Sequence, residues 1–584
     1  MCPECQTLTS PVVPTLLNGL VAFLKYGLGH SFGGFGFSQG LLQEPVLGED
    51  NLSNGVANYR PSKNLDGAGV IDELATLLTS GRLSREKREM VKSVYEEYEG
   101  IEALINVEQV IVTTPEFHAN ALARNGENAR PQVEPPEPSS KPYKAVIQIM
   151  LDGGMDSYNV VVPSEGDCTG KNAAGEPIDQ QYRDVRGSLA LQRHMTDLRI
   201  SADGQPCSKF AIHSKFPILK ELYDEGSLAI IANTGVLNTH DTNKQNFYEK
   251  TVSRLFAHDH MKRETEKMDP FDKKLGTGVM GRMSLALEKK GYRTSGISID
   301  LQSWALNTNS ATITPFTVSR SGFTVFNDRP SAEEHFDLEG YAAIMNNVTD
   351  TYTNLFGETW SSEYTASVSQ AEFYSRLLDE TDVIDDFKNV EQKFGSRLSM
   401  LSRLIQTRNG RGVDRDFYFM KTGSFDHHSN MLSYMDYQLE ELNTGLAALV
   451  KDLKERGVWD DVTILITSDF GRTLSPNGSD GTDHAWGGHY MIMGGSVKGG
   501  QFLGQYPDDI TESGPVNIGR GRLMPTTSWD AIFSGIADWM GVDDKESMLE
   551  VLPNLDEVVG NGFTDAYTKN DMYRENRRML RSKA

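Results

Sequence analysis

The sequence predicts an α/β fold with a mostly parallel sheet, preceded by a small helical segment at the N-terminus. Three observations predict it. First, Asp416-Phe-Tyr-Phe-Met420 and Asp461-Val-Thr-Ile-Leu-Ile-Thr467 are aromatic or β-branched runs of strand length. Second, between them Leu432, Met435, Leu439, Leu442, Leu446, Leu449 and Leu453 recur at three- and four-residue steps, one apolar helix face closed by Gly457. Strand, helix, strand in this order returns the chain in the same direction, so the two strands lie parallel. Third, acids and histidines follow the strands: Asp426-His427-His428 after one, then Asp469, Arg472, Asp483 and His484 after the other. Open α/β sheets place their sites at such strand ends.

A chain of 584 residues exceeds one compact core and implies two domains, one of them large. Hydrophobic content of 38% and aromatic content of 9% fit a soluble globular protein. A formal net charge of -24 argues against nucleic acid or anionic membranes as partners held by broad electrostatics. No run of 18 apolar residues is present, so no membrane span is expected. Leu16 to Leu24 is apolar but lacks a basic region before it, so no signal peptide is expected and the start reads as a truncation or an internal fragment. Cys2-x-x-Cys5 has no second pair to complete a zinc site, which favours a plain terminus. Cys168 and Cys207 lie in Gly- and Asp-rich, loop-like sequence and can form a disulfide. Sequons at Asn51, Asn347 and Asn477 bear on the protein only if it is exported.

Taken in order, residues 1–123 form the helical segment. Ile71 to Leu78 has helical spacing, Ser84 reads as an N-cap before Arg85 to Met90, and Ala103 to Val112 continues an apolar face that Thr114-Pro115-Glu116 ends. Residues 124–142 carry Pro131, Pro135, Pro136, Pro138 and Pro142 and read as a linker. The α/β domain follows over 143–584. Lys144 to Leu151 is its first strand, Phe216 to Asp224 a helix, Ser227 to Ala232 the next strand, and Tyr490 to Met493 a late one. Residues 260–410 mix short helices such as Gln370 to Leu378 with Ser/Thr-rich stretches and read as an insertion.

Four constellations carry candidate chemistry. Asp152-Gly-Gly-Met-Asp156 puts a carboxylate at a strand end, with glycines that allow close approach to a metal or anion; the plain alternative is a Gly-rich turn. Thr239 to Asn246 offers a hydroxyl before a helix, as a nucleophile or merely an N-cap. In Asp426-His427-His428, adjacent imidazoles point apart, so at most one of them joins Asp426 on a metal; the plain alternative is a surface loop. Asp469, Arg472, Asp483, His484 and His489 form the fourth: Arg472 suits a tetrahedral oxyanion or a salt bridge to Asp469, and His489 suits a ligand or a strand-start hydrogen bond.

Gly153-Gly154-Met-Asp156-Ser-Tyr-Asn159, Phe425-Asp426-His427-His428, Ser468-Asp469-Phe470-Gly471-Arg472-Thr473 and Asp483-His484 together resemble the alkaline phosphatase/sulfatase-like superfamily. More narrowly, over about residues 143–540, they resemble the family called domain of unknown function 1501. Leu77 to Ser84 and Val112 to Phe117 resemble the tail of a second family, domain of unknown function 1800. The first resemblance implies a three-layer α/β/α sandwich (alkaline phosphatase-like), two divalent metal ions at the strand ends, and hydrolysis of a phosphate or sulfate ester. It implies one ion on Asp469 with Asp152 or Asp156, and a second on Asp426, His428 and either His484 or His489. Thr242 would be the nucleophile and Arg472 the oxyanion clamp. Phe470 stands where the superfamily's phosphatases usually carry histidine, so the missing ligand is expected from elsewhere, with Asp483 as the candidate. No Cys-x-Pro-x-Arg motif surrounds Cys168 or Cys207, which removes formylglycine chemistry.

The expected function is therefore a metal-dependent hydrolase of phosphate or sulfate esters, small or polymer-borne, using Zn, Mn or Ca. The alternative is a non-catalytic secreted or surface protein that retains the fold. The resemblance implies export, because members of the narrower family are often exported by the twin-arginine route.

Overall fold

The computed structural model describes residues 12–26, 59–119, 136–164, 168–272, 276–310, 313, 315–326, 336–347, 355–559 and 566–574. Cys2, Cys5, Asn51 and residues 124–135 of the expected linker lie outside the described residues. The chain divides into two compact units. One joins Met1–Pro135 to Gly322–Glu380, and the other joins Pro136–Ser321 to Thr381–Ala584.

The first unit is helical. Helices Gly67–Thr79, Arg85–Glu97 and Gly100–Val112 pack with Val12–Tyr26, Leu338–Asn347 and Leu355–Asp379. Their shared core includes Leu17, Leu74, Val91, Val110, Ile111 and Trp360. Ser84 does cap its helix, accepting from the Lys87 amide at 3.3 Å. Lys87 and Glu116 form a fully buried ion pair at 2.9 Å. Residues 322–380 of the region expected as an insertion belong to this unit, and Trp360 among them joins its core.

The second unit is built on strands β1 (Lys144–Leu151), β2 (Val161–Pro163), β3 (Leu198–Ser201), β4 (Lys209–Ile212), β5 (Leu228–Gly235), β6 (Thr294–Ile299), β7 (Phe316–Val318), β8 (Arg415–Thr422), β9 (Val462–Ser468), β10 (Gly488–Met493), β11 (Gln501–Leu503) and β12 (Thr527–Ser528). The large sheet has the order β11-β5-β10-β9-β1-β8-β6-β7, with β12 on β5. Every pairing is parallel except the two made by β10. Strands β5, β9 and β10 are buried along their whole length, as a sheet covered by helices on both sides requires. Helix Met431–Glu455 connects β8 to β9, with β1 lying between them. The rest of the expected insertion falls in this second unit and contributes β6 and β7 beside helices Val279–Lys289 and Gln392–Gln406. β6 pairs with β8, but its hydroxyl-rich run Thr294-Ser-Gly-Ile-Ser-Ile299 hides the strand pattern. A small antiparallel sheet, β2-β4-β3, lies beside a Cys168–Cys207 disulfide.

The parallel order carries the strand ends to one edge. β1 pairs with β8 through Leu151↔Thr422 and with β9 through Leu151↔Ser468. Asp152 and Asp469, the next residues of β1 and β9, therefore emerge side by side. β10 runs the other way, so the residues before it reach the same edge.

Asp530, in the first turn of helix Trp529–Met540, is buried and its Oδ1 has no hydrogen-bond partner. Burial pushes its carboxyl up from the ordinary 3.8 to about 7. The folded state thus holds this proton more tightly than the unfolded chain. The resulting stabilisation is complete below pH about 4 and is lost as the pH rises through about 7. Asp530→Asn, neutral at every pH, should flatten that decline and unfold at a higher temperature than the parent at pH 8; thermal melts at pH 5 and 8 check it.

Candidate metal centre

Where β1 ends, Gly153 and Gly154 take φ of +113° and +84°, values that L side chains avoid. A Cβ on Gly153 would meet the Asp426 amide at 2.6 Å, and one on Gly154 the Phe470 ring at 2.5 Å. The paired glycines let this turn pack against the loops after β8 and β9. The Asp152 carbonyl accepts from the Phe425 amide at 2.8 Å, which holds the Asp426 loop to β1.

After β9 the chain folds back on itself. Thr473 donates its amide to Asp483 at 2.9 Å and Gly471 donates to Trp486 at 2.9 Å, setting His484 opposite Arg472. The intervening turn is closed by Asn477, whose Oδ1 accepts from the Ser479 and Gly481 amides at 2.9 and 3.1 Å. Its Nδ2 donates to the His428 carbonyl at 2.9 Å, tying this turn to the other loop.

A third element completes the site. Helix His258–Lys267 begins with an imidazole that no motif singled out. Nε2 of His258 lies 3.1 Å from Nε2 of His484 and 3.4 Å from Oδ2 of Asp426. His484 Nε2 is 3.2 Å from Asp426 Oδ1. His428 Nε2 adjoins both, 3.0 Å from His484 Nε2 and 3.0 Å from Asp426 Oδ1. His258, Asp426 and His484 have potential ligand atoms within 4.8 Å of one another. Nitrogen and oxygen donors held by one ion at about 2.0–2.1 Å sit about 3–3.5 Å apart, so these separations fit a metal of the zinc type.

The far side of each ring fixes its tautomer. Nδ1 of His258 lies 2.7 Å from Asp469 Oδ2, Nδ1 of His484 lies 2.8 Å from the Phe256 carbonyl, and Nδ1 of His428 lies 3.2 Å from Asp483 Oδ1. All three partners can only accept, so each neutral ring carries its proton on Nδ1 and turns a bare Nε2 toward its neighbours. Close lone pairs repel, and a cation at their centre removes the repulsion. This orientation of the donors is a second point of fit to a metal.

The charged groups around the cluster act on one another. Burial raises the Asp426 carboxyl, but the hydrogen bond and charge of Arg472 bring it below its ordinary value. The Asp469 hydrogen bond raises His258 against the effect of its burial. Burial, with the charges of His258 and Arg472, lowers His484. Asp483 is lowered too: its hydrogen bonds from Asn477 and His428 and the charge of Arg520 outweigh burial.

Several residues take roles other than those expected. Asp469 and Asp483 do not converge with the imidazole Nε2 atoms; they hold His258 and His428 in orientation. Asp156 is committed to a fully buried ion pair with Arg186 at 2.9 Å and accepts from Thr482 at 3.1 Å, so it is not available as a ligand. Asp152 is paired with Lys262 at 2.5 Å. Arg472 is completely buried, donating to Asp426 at 2.6 Å, to the Gly153 carbonyl at 3.2 Å and to the Thr482 carbonyl. Its donors are taken up by these partners, and through one of them it holds Asp426. Thr242 donates to the Thr239 carbonyl at 2.9 Å within its own turn, and the next helix starts only at Phe247, so it caps no helix and makes no bond to the cluster. His489 is buried in β10, accepts from the Asn233 amide at 2.9 Å and stacks on Tyr506; burial pushes it down to about 3. Of the two candidates, His484 is the one at the cluster.

The Phe470 ring packs against His258 and His484, with centroids 4.9 and 4.8 Å away. Where a histidine was expected, an apolar ring packs against two imidazoles, one of them His258 from another element. The readable signal was His258-Asp-His-Met-Lys262, an imidazole and an ammonium four apart at the start of a helix.

Imidazoles and a carboxylate gathered at the strand ends of a mostly parallel sheet mark an α/β protein with a candidate metal site. Within it, residues 358–551 match the model of the family described as Protein of unknown function (DUF1501), which the motifs resemble. That match includes Asp426, His428, Asp469, Asp483 and His484 and leaves out His258. No curated protein matches the chain. Among solved structures, an alkaline phosphatase superfamily protein from Vibrio parahaemolyticus is similar at 10% identity and TM-score 0.29, covering 81% of this chain and 79% of that one. The zinc complex of the C-terminal periplasmic domain of EcEptC from Escherichia coli follows at 9% identity and TM-score 0.26, with 63% and 77% covered. The PsFucS1 sulfatase from Pseudoalteromonas sp. stands at 11% identity and TM-score 0.25, with 62% and 65% covered. The site itself rests on its own geometry.

Loss of a group that orients a ligating imidazole typically costs about 10–100-fold in metal affinity. Asp469→Asn and Asp483→Asn should each weaken Zn²⁺ binding by about that factor, and Thr242→Ala should leave it unchanged; titration calorimetry on the full chain reads all three.

Proposed function

We propose that the protein is a metal-dependent hydrolase of phosphate or sulfate esters, with the ion held by His258, Asp426 and His484 and adjoined by His428. The observation that carries this reading is the convergence of three bare Nε2 atoms on one carboxylate, each imidazole anchored through Nδ1. A bound divalent ion supplies a Lewis acid and makes water nucleophilic near neutral pH. Arg472 keeps Asp426 ionised and aimed, and Asp469 and Asp483 keep His258 and His428 in the ligating tautomer. The side chains of Asp426 and His428 are 42% and 47% exposed, so an ester group can reach them. The Thr242 hydroxyl is held within its own turn, so the reading takes water as the nucleophile. Arg520, exposed beside Asp483, supplies positive charge at the mouth for an anionic substrate.

The net charge of -24 favours a small or polymer-borne ester over nucleic acid as the substrate. Among the described residues no helix is long and apolar enough to cross a membrane. The Cys168–Cys207 disulfide supports placement in an oxidising, exported compartment.

Purified protein loaded with Zn²⁺ or Mn²⁺ should turn over an aryl phosphate or aryl sulfate. His258→Ala should reduce turnover at least 100-fold, and chelation should abolish it. A tightly bound ion with no turnover across phosphate, sulfate and phosphonate esters would instead favour a structural protein that keeps the fold.

A further inference from the structure

Next to the imidazole cluster lies a second charged arrangement. The register Leu151↔Ser468 sets Asp152 and Asp469 beside each other at the ends of β1 and β9. Two adjacent carboxylates cannot both stay ionised at low cost without a cation between them. Helix His258–Lys267 provides one. Lys262 follows His258 by four residues, one helical turn, and therefore lies on the same face. Its Nζ is 2.5 Å from Asp152 Oδ1 and 3.7 Å from Asp469 Oδ2, the oxygen that also holds His258 Nδ1. The side chain is only 22% exposed, so its charge is poorly screened.

We propose that the Lys262 ammonium occupies the place of a second divalent ion and makes this a one-metal site. The inference rests on the reading of His258, Asp426 and His484 as the ligands of the first ion. Oxygen donors on neighbouring strands are the ligand type that hard divalent cations take. With Lys262 in place, a divalent ion at that pair would lie against an ammonium, and the like-charge repulsion excludes it. Removing the ammonium leaves two carboxylates with no counter-charge, open to a hard cation and its waters. Helix His258–Lys267 thereby sets both features of the site: its first residue adds a ligand for one ion, and its fifth takes the position of another.

The test is cation stoichiometry on the full chain. Protein is first loaded with Zn²⁺, which suits the imidazoles, and is then titrated with Mn²⁺ and followed by electron paramagnetic resonance and elemental analysis. The unmodified protein should hold one Zn²⁺ and take up no Mn²⁺ at the concentration that fills the variants. Lys262→Ala and Lys262→Gln should each hold one Zn²⁺ and about one Mn²⁺, with at least tenfold tighter Mn²⁺ binding. Lys262→Arg, which keeps the charge, and the double variant Lys262→Ala/Asp152→Asn, which loses one of the oxygen ligands, should both behave like the unmodified protein. Retained Zn²⁺ uptake shows that a variant's site has folded. One Zn²⁺ and no Mn²⁺ in Lys262→Ala and Lys262→Gln would overturn the inference alone, as would Mn²⁺ uptake by the unmodified protein within tenfold of theirs. No Zn²⁺ in any of the proteins would overturn the imidazole site and the inference with it.

Discussion

Three imidazole nitrogens and a carboxylate, packed at separations of 3.0–3.4 Å, are the constraint around which the strand ends are arranged. Bare nitrogens at that spacing repel one another, so the surrounding groups must hold them in place. The carboxylates of Asp469 and Asp483 and the Phe256 carbonyl do this from behind the rings. Arg472 does it for Asp426. Burying a guanidinium costs several kcal/mol unless its donors are met, and here Asp426 and the carbonyls of Gly153 and Thr482 meet them. The same bonds tie together the turns after β1 and β8 and the loop before β10.

The sheet explains why these groups can meet. Parallel strands need a crossover to return, and each crossover delivers only one loop to the site edge. The reversed strand β10 removes one crossover: a hairpin-like turn after β9 brings Asp483 and His484 straight back to the edge that Asp469 occupies. The glycines after β1 then let the backbone approach closely enough for the loops to touch.

Much of this was readable before the structure. β1, β8, β9 and the helix between the last two follow from runs of apolar residues whose period matches their conformation. The motifs around Asp426, Asp469 and His484 mark groups that the structure does bring near one another. Their division of labour was not readable, because a ligand and the acid that orients it have the same residue types and the same spacing. Asp156 looked like a ligand because Arg186, its buried partner, lies thirty residues on in a helix whose relation to the turn is purely tertiary. His258 was passed over because it opens a polar helix in a region without strand signal, and its approach to His484 and Asp426 is purely tertiary. β6 was missed because Thr and Ser interrupt its apolar pattern, although pairing with β8 decides its conformation.

The cluster also joins very unequal spans of chain. His428 and His484 are 56 positions apart, while His258 and His484 are separated by 226. A fourfold longer loop costs about 1.2 kcal/mol more in closure entropy, so the shorter span is the cheaper of the two to close. The late motifs alone therefore make an incomplete half-site, and the helix that starts at His258 completes it across the longer span. Under the proposed ligand set, tight retention of an ion is a property of the fully assembled chain, and metal occupancy would report whether that long-range contact has formed.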